Sequence, residues 1–428
     1  MDLNSSRSEP QPADDSPRVS AGKIWFVSEL YYPEETSTGY YVTKTAEGLA
    51  ADHPVHVLCS QPTYSARGKR APRHEVHRNV SIQRCSGTAL DKDVPLFRLV
   101  NLATISASLF GNALARFRKG EVVFVTTNPP TLPYLTWLAC VLRRARCVLM
   151  VHDVYPEALV AGGWLRADSA LRRVFTRFQR FLYSRMERIV VLGRDMGSLV
   201  ARAMRRQTRR IVVIPNWADL DQITPFPRRD NALLSRLGLQ DKFVVQYSGN
   251  MGRTHGLEPL VEAAGRLRND TDVHFLFIGS GAKRHWLEQT VSGEELSNVT
   301  ILPYQLRSDL AVSLNACDLA IISFVPGMAG VSVPSRMYNI LAAGKPIIAV
   351  ADPESELAQL VVEENVGWVV APGNTEKLVE TILKVREEPD LLAQMQSRCR
   401  GVVEKKYSFH QVVSAYRSLV DELEGGVD

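Results

Sequence analysis

What the 428-residue chain lacks narrows it first. Its six cysteines, Cys59, Cys85, Cys140, Cys147, Cys317 and Cys399, are scattered and form no CxxC pair. That excludes a zinc ribbon, a thioredoxin-type redox site and a disulfide-stapled fold, and it fits a reducing compartment. No cluster of His, Cys, Asp or Glu has metal-ligand spacing, so no metal is expected. There is no GxGxxG fingerprint and no GxSxG elbow. Gly344-Lys345 is not a P-loop, because Asn339 stands where the first glycine is required and Pro346 where Ser or Thr is required. Long apolar runs are missing too. Leu99–Ala115 is uncharged over 17 residues, but it carries Asn101, Thr104, Ser106, Ser108 and Asn112. It reads as a buried or interfacial helix rather than a span. No secretory leader pattern opens the sequence, and residues 1–21, rich in Ser, Pro and Asp, read as a disordered tail.

What remains is an ordinary globular composition, 45% hydrophobic and 23% charged, long enough for two or three domains. The net charge of +5 hides an asymmetry. Residues 1–215 hold 31 Lys and Arg against 18 Asp and Glu, net +13, and the remainder holds 20 against 28, net −8. A basic front half implies an anionic partner there. Thirteen arginines within residues 166–210 raise the possibility of nucleic acid. No aromatic-interleaved or helix-turn-helix pattern accompanies them, so nucleic acid is set aside in favour of a lipid-facing or solvated basic helix.

From residue 22 short Val/Ile-rich runs alternate with helical periodicity. The strands expected in the first half are Lys23–Ser28, Val55–Cys59, Glu121–Thr126, Cys147–Val151, Arg188–Leu192 and Ile211–Ile214. Those of the second half are Phe243–Ser248, Val273–Ile278, Asn298–Leu302, Asp318–Ser323, Pro346–Val350 and Gly367–Val370. Runs without alternation suit strands buried on both faces of parallel sheets. Leu171, Val174, Phe175, Phe178, Phe181, Leu182 and Met186 mark a strongly amphipathic helix. Twelve strands suggest two sheets in two domains, 22–214 and 215–406, with a terminal helix near 407–428 packing back on the first. The break falls at Pro215-Asn-Trp-Ala-Asp219. Ligands of such sheets bind beyond the carboxyl ends of the strands, hence in a cleft between the domains.

Five motifs fall at those ends. Tyr247-Ser-Gly-Asn-Met-Gly-Arg-Thr-His-Gly256 offers close backbone approach at Gly249 and polar contacts from Asn250, Arg253 and His255. Gly279-Ser280-Gly281 follows the next strand. Pro334-Ser-Arg-Met-Tyr-Asn339 opens a helix, where Ser335 and Arg336 suit a diphosphate and Asn339, one turn on, a ribose hydroxyl. Val151-His-Asp-Val-Tyr-Pro-Glu157 sets His152 and Asp153 at a strand end, His152 to bind a sugar hydroxyl or act as acid/base. Glu29 to Gly39 reads as a mobile loop whose Gly39 end approaches an anion. Two DxD triplets, Asp219-Leu-Asp221 and Asp91-Lys-Asp93, sit in linker and loop rather than at a strand end, and are set aside as metal sites.

Together these residues resemble the family 4 glycosyltransferases, over nearly the whole chain from about Gly22. Pro334-Ser-Arg-Met-Tyr-Asn-Ile-Leu-Ala-Ala-Gly-Lys-Pro346 is the most specific block. Pro215-Asn-Trp-Ala-Asp219 is similar to the family's PNG-x-D segment, with Trp for Gly. The stretch Asn298–Asp318 resembles the segment lining the nucleotide base, around Pro303 and Tyr304. The flavour is that of colanic-acid or O-antigen enzymes of fucosyl or fucosamine type. The family's paired glutamates, eight positions apart, map to Val331 and Asn339, and its phosphate-binding Arg and Lys to Asn250 and His255. Arg253 and Arg336 are candidate replacements.

The resemblance implies the GT-B fold: two Rossmann-like, doubly wound α/β domains facing across a cleft. It implies a metal-independent, retaining transfer from a UDP- or GDP-sugar, with front-face attack by an acceptor hydroxyl and no cofactor. The expected partners are the nucleotide sugar, a lipid-linked saccharide acceptor and an anionic membrane surface, with the protein on the inner face of the cytoplasmic membrane. A nucleotide-sugar epimerase on the same architecture is the alternative, and the basic first domain argues against it.

Overall fold

A computed structural model describes residues 22–62, 70–88, 90, 95–204 and 208–425. The expected tail at 1–21 and the triplet Asp91-Lys-Asp93 lie outside the described residues. The first domain contains β1 (Ile24–Ser28), β2 (Val55–Ser60), β3 (His74–His77), β4 (Val80–Cys85), β5 (Val122–Thr126), β6 (Arg146–Val151), β7 (Arg188–Val191) and β8 (Ile211–Val213). The second contains β9 (Phe243–Asn250), β10 (Val273–Ser280), β11 (Val299–Leu302), β12 (Leu319–Ser323), β13 (Ile347–Val350) and β14 (Gly367–Val370). The sheet orders are β3-β4-β2-β1-β5-β6-β7-β8 and β11-β10-β9-β12-β13-β14. Every pairing is parallel except β3 with β4. All twelve expected strands are present, and β3 and β4 are additions. They form a hairpin turned at Arg78 and Asn79, both at positive φ.

The helices of the first domain are α1 (Ser37–Leu49), α2 (Pro95–Arg116), α3 (Leu132–Arg143), α4 (Glu157–Ala161), α5 (Ala170–Arg185) and α6 (Arg194–Ala203). Those that follow are α7 (Ala232–Leu237), α8 (Glu258–Arg266), α9 (Arg284–Gly293), α10 (Leu310–Leu314), α11 (Arg336–Ala342), α12 (Glu356–Glu363), α13 (Thr375–Glu387), α14 (Pro389–Lys406) and α15 (Phe409–Gly425). Among the described residues no helix is long and apolar enough to cross a membrane. Leu99–Ala115 lies within α2, which buries Ser106, Leu109 and Ala113. α15 returns to the first domain, where Val412, Tyr416, Leu419, Val420 and Leu423 share a core with Phe26, Phe124 and residues of α1.

The amphipathic helix α5 is oriented otherwise than its apolar stripe suggests. Its inner face is Arg172, Thr176, Gln179, Leu182 and Tyr183. Leu171, Val174, Phe175, Phe178 and Phe181 are each between 41% and 57% exposed. Leu138, Val141 and Leu142 of α3 and Leu96, Phe97 and Val100 of α2 are exposed as well. Polar contacts hold the helix in this sense. Tyr134 of α3 donates to Gln179, and Arg172 pairs with Glu157 of α4 at 3.9 Å.

The two domains are joined at a hinge and closed at a latch. At the hinge the chain crosses twice, side by side. Ala218 N–H donates to Tyr407 O at 2.9 Å, and Ala218 and Ser408 form a parallel bridge. Trp217 is buried there between Tyr41 and Phe409. At the latch the buried carboxylate of Asp195, in the first turn of α6, accepts the N–H of Gly330 at 2.7 Å and of Glu356 at 2.9 Å across the cleft. Arg194 donates to Glu356 and Glu363 beside it. Removing a buried acceptor from two N–H groups costs about 1–3 kcal/mol for each group left unpaired. Asp195→Ala should therefore raise hydrogen exchange at Gly330 and Glu356 while the amides of β9 keep their protection. Unchanged exchange in 326–332 and 356–363 would deny Asp195 this role.

Candidate functional site

The site is assembled where the carboxyl ends of both sheets meet. On the second domain β9 and β10 stay paired through Gly249–Gly279 and Asn250–Ser280. The glycines serve this packing. A Cβ at Gly281 would lie 2.6 Å from the backbone of Met251, and one at Gly249 would lie 2.2 Å from Arg336 Nη1. Gly279, Ser280 and Gly281 thus abut the first glycine loop. The approach at Gly249 is made by Arg336, whose guanidinium lies 4.7 Å over the Tyr247 ring and donates from Nη1 to Ser248 O at 3.2 Å. Its Nε and Nη2 are buried without a partner, and no carboxylate among the described residues pairs with it. α11 has only seven residues, so the anion-binding capacity expected of this helix start rests on the guanidinium.

Two neighbours complete the basic corner. Lys283, which sequence reasoning missed, donates from Nζ to His255 O at 2.7 Å and pairs with Glu258. His255 stacks near Phe324. Burial first, then Arg336 and Lys283, hold its pKa down at about 3. It is therefore neutral at ordinary pH. Asn250 is exposed at the strand end. Arg253 is not part of the corner, a correction to the expectation that it joins Arg336: its guanidinium lies 5.2 Å over the Trp164 ring of the first domain. Pro303 and Tyr304 follow β11 at its carboxyl end, with Tyr304 66% exposed and its phenol open to solvent.

The first domain contributes His152 and Asp153 at the end of β6. His152 Nε2 is buried without a partner, and burial lowers its pKa to about 4. Burial raises the carboxyl of Asp153, against a hydrogen bond from the Ser332 side chain. Asp153 and Ser332 form an antiparallel bridge, and Val154 N–H donates to Val331 O at 2.9 Å. This loop is therefore paired directly with the second domain. Ser37 and Ser335 meet at 2.7 Å through their hydroxyls.

Two expectations are corrected at the hinge side. Gly39 is buried, its N–H is taken by the Thr36 cap of α1, and a Cβ there would lie 2.9 Å from Glu34 O. Its role is local, in the helix start, rather than toward an anion. The carboxamide oxygen of Asn339 accepts Asp219 N–H at 2.9 Å, so it ties α11 to the hinge instead of lying free for a ribose. Asp219 itself gathers Tyr40 at 2.8 Å and Arg307 at 3.0 Å, with the Arg307 guanidinium stacked on the Tyr40 ring. Among the described residues no group of three or more His, Cys, Asp or Glu is arranged to hold a metal.

The comparisons agree with this architecture. The family described as "Glycosyl transferases group 1" matches residues 233–402, and "Glycosyl transferase 4-like domain" matches residues 37–217. The chain is 33% identical over 419 residues to "Probable glycosyltransferase WbjE" of Pseudomonas aeruginosa, covering 94% of this chain and 98% of that one. It is 28% identical over 381 residues to WcaI of Escherichia coli (strain K12), named as a colanic acid biosynthesis glycosyl transferase, covering 84% and 91%. Anabaena HepE, solved with UDP and glucose, superposes with a TM-score of 0.72 at 15% identity, covering 94% of this chain and 100% of that one. The chain belongs to the family 4 glycosyltransferases, with the GT-B fold.

The depressed histidines give a pH dependence. A His whose folded pKa lies below its unfolded value near 6.5 binds its proton more weakly in the folded state. Its contribution to stability is complete above 6.5 and is lost as pH falls toward the folded value. For His152 that window is about 4 to 6.5. Asp153 and Asp195, with raised carboxyl pKa values, act in the opposite sense. The test is therefore a comparison between variants. The melting temperature of His152→Gln should fall less between pH 7 and pH 4.5 than that of the parent, and equal losses would assign the slope to other groups.

Proposed function

We propose that this chain transfers a sugar from a UDP- or GDP-sugar to a lipid-linked saccharide during synthesis of a bacterial surface polysaccharide, with retention at the anomeric carbon and without a metal. The observation that carries the reading is Arg336, a buried guanidinium with two unpartnered nitrogens and no carboxylate. A buried cation in that state calls for an anion, and the leaving diphosphate of a nucleotide sugar supplies one. Arg336 and Lys283 stabilise the charge that develops as the bond from the sugar to the diphosphate breaks. His152, neutral, hydrogen-bonds the donor sugar, and Asp153 lies beside it. The acceptor hydroxyl attacks from the face that the diphosphate leaves. Names and ligands among the relatives support the substrate classes: WcaI for colanic acid, HepE for UDP and glucose.

Calorimetric titration with UDP and GDP tests the donor. Arg336→Ala should weaken the preferred nucleotide by about 1.5–3 kcal/mol, the range for a charge-assisted hydrogen bond. His152→Ala should lower turnover more than nucleotide affinity. Binding of neither nucleotide to the folded parent would overturn the reading.

The membrane surface follows from α5. An exposed row of Leu, Val and Phe flanked by Arg173, Arg177 and Arg180, in a front half (residues 1–215) of net +13, suits the interface of an anionic bilayer. Each Lys or Arg near such a surface contributes on the order of 1 kcal/mol, screened by salt within about 8–10 Å. The protein should co-sediment with phosphatidylglycerol vesicles at low salt and leave them at high salt, and Phe175→Ser with Phe178→Ser should reduce binding about tenfold or more, some 1.4 kcal/mol or above. Equal binding to neutral and anionic vesicles would remove the electrostatic part.

A further inference from the structure

Arg253 and Trp164 come from opposite domains and meet at the mouth of the cleft. Trp164 is 69% exposed, yet its backbone is fixed: its N–H donates to Leu159 O at 2.8 Å, behind the positive-φ turn at Gly163. A large ring displayed on an anchored turn is a contact surface rather than packing. Arg253, also exposed, pairs with no carboxylate among the described residues and rests on that ring. A cation on an aromatic face in water is weakly held, so a ligand that offers an anion to one and an apolar ring face to the other will separate them.

Their place in the chain says which ligand. Trp164 lies between α4, which follows His152 and Asp153, and the start of α5, whose exposed apolar row begins at Leu171. Along the chain, Trp164 thus stands between the row proposed to meet a bilayer and the loop that carries His152. The donor's diphosphate has its own cation in Arg336, which lies against Gly249 and Tyr247 rather than on Trp164.

Resting on the reading that the acceptor is lipid-linked, we infer that Arg253 and Trp164 form the acceptor subsite. Arg253 takes the phosphate that joins lipid to sugar, and Trp164 stacks the first sugar ring. Arg253 thus serves the acceptor and not the donor.

The full-length protein, labelled with 5-fluorotryptophan, is titrated with farnesyl diphosphate and separately with UDP. The Trp164 resonance is identified by its loss in Trp164→Phe. Farnesyl diphosphate should move that resonance, with an affinity unaffected by saturating UDP. Arg253→Gln should weaken farnesyl diphosphate at least tenfold and leave UDP affinity within twofold. The proposal falls if the Trp164 resonance does not move, or if UDP displaces farnesyl diphosphate. It also falls if Arg253→Gln weakens UDP tenfold with farnesyl diphosphate unchanged. A further arm separates acceptor phosphate from bilayer headgroup. If Arg253→Gln loses binding to phosphatidylglycerol vesicles as severely as Phe175→Ser with Phe178→Ser, the pair is a bilayer anchor and the proposal is overturned. Failure of the parent to bind any nucleotide would strike the donor reading alone, since the farnesyl diphosphate arm is read without nucleotide.

Discussion

The carboxylate of Asp195 holds two backbone N–H groups of the other domain, and the geometry of the site depends on that contact. With it in place, the loop Gly330–Ser332 lies against the loop carrying His152, and Val154 pairs with Val331. With it broken, the contacts of Val154 with Val331, Ser37 with Ser335 and Arg194 with Glu356 are left to hold the loops of the two domains together. Net hydrogen bonds contribute about 0.5–1.5 kcal/mol each, and domain interfaces of this kind are mobile by default. Burial raises the carboxyl pKa of Asp195 even though three N–H groups point at it. The cost of desolvation thus offsets part of the gain. A latch of this strength closes the cleft and still opens for exchange of substrate and product.

The departures from the family's residues have a common structural result. Val331, where a glutamate is usual, is buried and gives its carbonyl to Val154. Asn339, where the second glutamate is usual, accepts from Asp219 at the hinge. The first position has become an interdomain contact and the second a hinge contact. Positive charge is likewise moved from Asn250 and His255 to Arg336 and Lys283. His255 remains in the corner as a neutral ring, because burial and two cations disfavour its proton together. Replacing a charged contact in this way keeps an electropositive corner while it changes which loop supplies the charge.

The strands were legible because each is buried on both faces, so a short Val/Ile run has one physical interpretation. The β3–β4 hairpin was not, since Arg78 at positive φ carries no sequence signal and only Asn79 hints at the turn. Arg336 and His152 were legible from residue type at a strand or helix boundary. Lys283 was hidden because a lone lysine after Gly-Ser-Gly-Ala looks like surface, and Asp195 because an acid in a first helical turn has an ordinary local explanation. The close approach that glycine allows is visible in the sequence, but the neighbour that makes the approach is not. Gly281 makes room for the adjacent loop, and Gly39 for its own helix start.

Helix α5 shows where periodicity stops informing. The 3.6-residue repeat fixes which residues share a face, but not which face meets the protein. Here the inward face is chosen by polar anchors: Gln179 receives Tyr134, Arg172 pairs with Glu157 of α4, and Leu182 and Tyr183 fill the core behind them. A helix seated on polar contacts loses hydrogen bonds if it rolls, so its row of Leu, Val and Phe is kept outward. Left in water, the half of that row that is exposed costs roughly 25 cal/mol for each Å² uncovered. The arrangement is stable in water and becomes more favourable against an apolar phase. Because α5 begins just beyond Trp164, and α4 links Trp164 to His152, the seating that aims the apolar row outward also ties that row, through a short stretch of chain, to the loop that carries His152.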